Sequence, residues 1–299
     1  MIFNFIYWNF GFLRMGTTGI TAQAFGSGAR QEQTDTLTRG LFIALCIALL
    51  VVLLRSPFAD ASIFLLNVTT DQAPLVLEYF DIRIWAAPAT MLLYVIFGWF
   101  FGLQNAVYPL VLTLIINTVN IVCSYIFVRH FQWGVQGVAY VTLIAQYTGL
   151  LAGMLMIWYR YPALMRRFTL RALQAFHQFK RFLTVNADIF IRTLSLTFAF
   201  GFFYSMSAEE GELILAANVI LIQYLHWMSY GVDGFAYAAE SLVGKYYGAK
   251  NKERLNLAII HSFYWGMGLA LVYSLTYGGL GDYLLALFTN QADVMTTAR

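Results

Sequence analysis

Residues 230–254, YGVDGFAYAAESLVGKYYGAKNKER, carry two acids inside an apolar, aromatic run. Asp233 and Glu240 are seven residues apart, about two helical turns, so a helix would present both on one face. The stretch ends in Gly248-Ala249-Lys250 and a dense basic cluster. Acids in a membrane-grade helix whose basic end leaves the lipid suit ion or cation handling. Acids lying near headgroups are the plainer reading, more so for Glu240 than for the deeper Asp233. Asp188 and Arg192 are four apart and can pair on one helix face. That pair either cross-links helices, or lets Asp188 take up a proton in one state and hold Arg192 or a cationic ligand in the other. An ionisable group at the centre of a membrane helix costs roughly 2.5–3.5 kcal/mol and usually faces the protein interior.

Other polar residues extend this set. Asp233 has no basic residue within a turn on its own helix, so its partner must come from elsewhere. Asn218 and Gln223, with Asn117 and Asn120, would either line a polar cavity or hydrogen-bond between helices. Arg14 lies among Phe12, Leu13 and Met15; it either pairs with an acid outside this stretch or snorkels. His226 reads as a satisfied interior histidine. Cys46 and Cys123, both in apolar runs, read as small core residues. No Cys/His metal spacing, nucleophile elbow or phosphate loop is present.

The elements that must position these residues follow from composition. Of 299 residues 60% are hydrophobic and 11% charged, against about 25% charged in soluble domains, which makes this an all-α polytopic membrane protein. A net charge of +3 is too small to argue for nucleic acid. Eight apolar segments are long enough to span a bilayer: 1–24, 38–55, 79–103, 108–128, 134–158, 183–206, 212–243 and 256–277. Pro57, Pro88, Pro109 and Pro162 fall near helix ends or at kinks.

Alternating the loops puts 25–37, 104–107, 159–182 and 244–255 on one side. That side collects Arg30, Arg39, Arg160, Arg166, Arg167, Arg171, Lys180, Arg181, Lys245, Lys250, Lys252 and Arg254, twelve of the 18 basic residues, and is therefore cytoplasmic. Arg55, Arg83, Arg129 and Arg299 face the other side, with Glu209, Glu210 and Glu212. The linker 159–182 has apolar residues at helical spacing between basic ones and predicts an amphipathic helix on the cytoplasmic leaflet. It separates residues 1–158 from 183–299.

The two parts share a rhythm of span, Gly-Ala-basic turn, span and short outer helix. A shift of 220 positions brings Gly28-Ala29-Arg30 onto Gly248-Ala249-Lys250, Gly11 onto Gly231 and Thr69 onto Thr289. Parallel repeats of this kind build secondary transporters. The register predicts twelve spans in two lobes. Eight are present here: residues 1–158 form an N-terminal lobe lacking its first helix, and 183–299 a C-terminal lobe lacking its last three. A chain so composed is expected to be unstable alone.

The stretches FGFLRMGTTGITAQAFGSG (10–28), GWFFGLQNA (98–106), NADIFIRTLSLTFAF (186–200) and DGFAYAAESLVGKYYGA (233–249) resemble the DinF-like branch of the multidrug and toxic compound extrusion (MATE) family. The resemblance implies a two-lobe, twelve-helix fold in the bacterial plasma membrane, monomeric when complete. It also implies an antiporter that exports cationic or amphiphilic compounds in exchange for H+ or Na+, with no other cofactor and no enzymatic activity. An acid on the first helix of that branch has no counterpart here. An acid on the seventh helix of another branch would fall near Arg192, with Asp188 one turn earlier. The ion- and substrate-binding set expected is thus Asp188, Arg192, Asn218, Asp233 and Glu240. The alternatives are a non-functional piece of such a transporter, or a flippase for lipid-linked sugars, which should place more cations than Arg14 and Arg192 in its cavity.

The charge bias makes the topology testable. A cysteine replacing Lys252 should react with an impermeant maleimide only from the cytoplasmic face, and one replacing Glu210 only from outside; the reverse pattern would invert the topology.

Overall fold

The computed structural model describes residues 2–65 and 71–298. Thr69 and Arg299 lie outside the described residues, as does the side chain of Arg181. The described chain is helical, with no strand among the described residues. Seven helices are long and apolar enough to cross a membrane, running within 30–53, 73–102, 107–130, 134–160, 182–209, 212–248 and 252–288.

The first expected span is not one straight helix. It forms α1 (Ile2–Asn9) and α2 (Phe12–Gly26). At the junction the amides of Phe10 and Gly11 donate three residues back, to Tyr7 and Trp8, each at 3.0 Å. Gly11 permits this tightening because a Cβ there would sit 3.1 Å from the Trp8 carbonyl oxygen.

Helix α3 (Arg30–Leu53) returns outward and is followed by α4 (Arg55–Leu65). The next span is α5 (Ala73–Arg83) joined to α6 (Ala87–Gly102) through a 3₁₀ turn, Ile84–Ala86. Pro88 explains the change of winding, since it has no N–H to donate to residue 84. Helix α7 (Val107–Ser124) widens into a π turn at Tyr125–His130, and α8 (Gly134–Arg160) completes the first lobe. Its core lies where α2, α3 and α6 meet. Trp99 is fully buried there and donates its indole N–H to the Gln33 carbonyl at 2.7 Å. Gly98 and Gly102 bring α6 onto the backbone of α2 at Arg14 and Thr18, as small residues do when membrane helices pack closely.

The cysteines are not core residues. Cys46 is exposed on α3 and Cys123 half-buried on α7, on faces those helices do not pack inward.

The linker differs from the single amphipathic helix expected. It folds as α9 (Pro162–Met165) and a 3₁₀ turn at Leu170–Leu173, and its last residues already belong to α10 (Phe176–Glu209). It is strapped to α3. Thr34 Oγ1 donates to the Leu164 carbonyl at 3.2 Å, and Gln31 Nε2 to that of Arg167 at 3.2 Å. Arg39 is 1% exposed; its Nε donates to the Ala172 carbonyl at 3.2 Å and its Nη1 to Glu32 at 2.8 Å. A buried guanidinium must be satisfied on all sides, and this one draws its carbonyl partner from the linker.

The second part of the chain comprises α10, α11 (Glu212–Gly248), α12 (Lys252–Phe288) and α13 (Ala292–Thr297). The two parts meet along α2 and α11, and the repeat is visible there in atomic detail. Both helices end in glycine, Gly26 and Gly248. The amides of Ser27, Gly28 and Ala29 bond back to Gln23, Phe25 and Ala24; those of Ala249, Lys250 and Asn251 bond back to Lys245, Tyr247 and Tyr246. Each pair is related by 222 positions, as are the positive-φ residues Gly28 and Lys250. The repeat therefore runs at 222, two residues beyond the register read from Gly-Ala-basic alone.

The contacts obey the same operation. A Cβ on Gly26 would strike the Lys245 carbonyl, and one on Gly248 the Gln23 carbonyl. Ala22 and Gly244 are equivalent positions, and a Cβ on Gly244 would sit 2.8 Å from the Ala22 Cβ. Equivalent residues in mutual contact mark a local two-fold axis, as expected of parallel repeats.

Filling this seam should separate the helices. Gly248→Val is expected to cost about 1–3 kcal/mol through overpacking, and to lower the thermal midpoint in detergent, whereas Gly201→Val, whose Cβ meets nothing within 4 Å, should not. Equal midpoints for the two variants would contradict the seam.

Candidate functional site

Above the seam, α2 and α11 hold a group of polar side chains. Asp233, Tyr237 and Glu240 lie at i, i+4 and i+7 on α11 and share one face. Glu240 is eight residues, about 12 Å of helix, before Gly248, and Asp233 is fifteen residues, about 22 Å, before it. Arg14 comes from the opposite helix. Its Nη1 is 3.6 Å from Glu240 Oε2, and its Cζ lies 3.9 Å from the centre of the Tyr237 ring. The two side chains are 14% and 21% exposed, so the pair is largely withdrawn from solvent.

The contact is one of charge rather than a hydrogen bond, because Nη1 is buried with no acceptor at bonding distance. The ring face of Tyr237 compensates part of the lost hydration, a contribution of about 0.5–2 kcal/mol. An ion pair held this loosely keeps donors that another anion can engage, and leaves a carboxylate that a proton or another cation can engage. The charges also break the repeat. At 222 positions, Arg14 corresponds to Ala236, Glu240 to Thr18 and Asp233 to Gly11. The fold is built in the other copy without them, so packing alone does not require them.

The remaining expected residues lie elsewhere. Asp233 is half-buried and makes no ion pair among the described residues. Asp188 and Arg192 are both exposed on α10 and do not form the pair their spacing allows. Instead Arg192 Nη2 lies 4.0 Å from the sulfur of Met15, next to Arg14. Asn218 takes the bridging role: its Nδ2 donates to Ser207 Oγ at 2.8 Å and ties α11 to α10. Asn117 and Asn120 do not join a cavity with α11, because they sit on α7, which packs against α8. His226 lies among the rings of Trp8, Phe200 and Tyr230, with centroids 6.0–6.3 Å away. Among the described residues no three His, Cys, Asp or Glu side chains cluster to hold a metal.

Three residues of this region were not singled out from the sequence. Tyr237 is the ring beneath Arg14; its position four after Asp233 was the available signal. Asn186 is 3% exposed and wedged against Gly16 of α2, with Nδ2 donating to the Phe182 carbonyl at 2.7 Å. Gln104, in the turn between α6 and α7, donates from Nε2 to Ser241 Oγ at 2.7 Å and to the Ser241 carbonyl at 3.0 Å. No periodicity could have paired Gln104 with Ser241.

Comparison with known proteins gives a consistent result. The MatE family model matches residues 1–126 and 188–299. The chain is 34% identical over 298 residues to DNA damage-inducible protein F of Escherichia coli K12, covering 99% of this chain and 64% of that protein. It is 25% identical over 284 residues to multidrug and toxin extrusion protein 1 of Danio rerio, covering 93% of this chain and 47% of the relative. The chain thus spans about two thirds or less of the length of these curated relatives. Among solved structures, an outward-facing multidrug resistance MATE transporter superposes with a TM-score of 0.88 at 21% identity, over 100% of this chain and 68% of the other. A MATE structure in the bent conformation gives 0.88 at 20% identity, over 99% and 67%.

The pair can be tested by a cycle. Arg14→Met leaves the Glu240 carboxylate without its partner and should destabilise the chain by about 2 kcal/mol, while Arg14→Met with Glu240→Met should recover most of that loss. Additive losses in thermal unfolding would mean the two groups do not interact.

Proposed function

The chain belongs to the MatE family, and from that membership we propose that it works as an ion-coupled exporter of cationic or amphiphilic organic compounds. Its fold is the all-α, multi-pass MATE-type architecture. The proposed setting is the bacterial inner membrane, with the protein acting as a monomer. The name of the Danio rerio relative, multidrug and toxin extrusion protein 1, supports this reading.

The observation that carries it is the Arg14–Glu240 contact between α2 and α11, roofed by Tyr237 and flanked by Asp233. It joins the two lobes at membrane depth, where a charge contact is strong and its loss costly. A coupling H+ or Na+ at Glu240 competes with Arg14 and weakens the link between lobes. An organic cation competes for the same carboxylates and for the ring of Tyr237. Exchange of one for the other changes the pairing of Arg14, and the two lobes rock in response. Asp233, farther from the cytoplasmic end and without an ion-pair partner among the described residues, is the second carboxylate on the path outward.

Ethidium export from cells lacking their own efflux pumps tests the reading. Glu240→Gln and Asp233→Asn are each expected to lower the initial rate about tenfold or more, in the range of ordinary coupling energies. Unchanged export in both variants would remove these acids from the mechanism, and no export by the unaltered chain would overturn the transport reading.

A further inference from the structure

The seam of Gly26, Ala22, Gly244 and Gly248 lies between the Arg14–Glu240 pair and the cytoplasm. Backbone packed on backbone leaves no path for water between α2 and α11, so these two helices close the site between them. Beside the Lys245 ammonium over the Phe25 ring, a hydrogen-bonded contact among the described residues crosses the closure at its edge. Gln104 follows the end of α6 in the N-terminal lobe, and Ser241 is on α11, one residue after Glu240. Gln104 Nε2 donates to both the hydroxyl and the carbonyl of Ser241, at 2.7 and 3.0 Å. The hydroxyl of Ser241 in turn donates to the Phe101 carbonyl at 2.5 Å. All three bonds cross from one lobe to the other.

The backbone at Gln104 is left-handed. Its φ is +62°, in the left-handed region that disfavours side chains other than those of Gly, Asn and Asp. A glycine would relieve that conformation, but it would have no amide to give to Ser241. The left-handed residue closes α6 as Gly28 and Lys250 close α2 and α11: the amides of Leu103, Gln104 and Asn105 bond back to Trp99, Phe101 and Phe100. A serine hydroxyl that bonds its own helix would need no neighbour; this one reaches instead to the carbonyl of Phe101, at the end of α6.

We propose that Gln104 and Ser241 are the latch of a cytoplasmic gate: the hydrogen bonds that hold the lobes shut beneath the Arg14–Glu240 site, and that break when the site opens inward. The proposal rests on the reading that the lobes separate during transport. It assigns Gln104 a positioning role, with no contact to substrate. Opening costs three hydrogen bonds at the latch, each of modest net worth because water can replace the partner, so the gate can be reversible.

The test reads the gate without transport. Cys46 and Cys123 are replaced by serine, and Tyr237→Cys is introduced beside the pair as a reporter. The chain is then placed in membrane vesicles of both orientations. With Gln104 intact, an impermeant maleimide should label the reporter slowly from the cytoplasmic face. Gln104→Glu keeps the size but turns a carboxylate oxygen toward the Ser241 carbonyl. It should raise cytoplasmic labelling about tenfold, and leave labelling from the outer face unchanged. Cytoplasmic labelling that Gln104→Glu does not alter overturns the latch, as does an equal rise from both faces, which would mean general loosening. A side-specific rise in a chain that exports nothing leaves the gate standing and counts against the transport reading alone.

Discussion

The close approach of α2 to α11 is the contact on which the rest depends. Gly26 against the Lys245 carbonyl, Gly248 against the Gln23 carbonyl, and Ala22 against Gly244 bring two helices into backbone contact at their C-terminal ends. In lipid there is no hydrophobic force to drive helices together, so shape and dispersion must do it, and small residues allow both. The two-fold relation makes each contact count twice. It also places the meeting point on a local two-fold axis.

Charge is then distributed against that symmetry. The repeat supplies matched helix ends, matched turns and matched glycines, but Arg14, Asp233 and Glu240 stand opposite Ala236, Gly11 and Thr18 in the other copy. Burying an ion pair beside a seam of glycine does not improve packing and is costly unless both partners are present. The two helices thus carry two kinds of information: a symmetric surface that sets how closely they approach, and an asymmetric set of charges whose pairing depends on that approach. Tyr237 joins the two, because its ring is oriented by α11 and occupied by the guanidinium of α2.

The linker shows how the first lobe is made into one piece. The sequence predicts that the basic segment between the two parts lies along the headgroups. Here Leu164, Arg167 and Ala172 each give a carbonyl to a side chain of α3, and Arg39 is buried in doing so. The connection is anchored to α3 by these bonds and enters α10 directly.

Sequence alone determined the class and most of the spans, and pointed to Asp233 and Glu240 on one face of one helix. These depend on composition, on the 3.6-residue period and on where lysine and arginine are tolerated, all of which are local or additive. It also indicated the repeat, but misplaced it by two residues, because Gly-Ala-basic occurs in both turns while the left-handed residue falls on Gly28 in one and Lys250 in the other. Tertiary structure alone decided which charges meet. Asp188 and Arg192 have the spacing of a pair and do not form one; Arg14 and Glu240 are 226 positions apart in the chain and do. Spacing on a helix states what can share a face. Which helix that face meets, and at what depth, is set by long-range packing, and in this protein by where glycine lets two backbones touch.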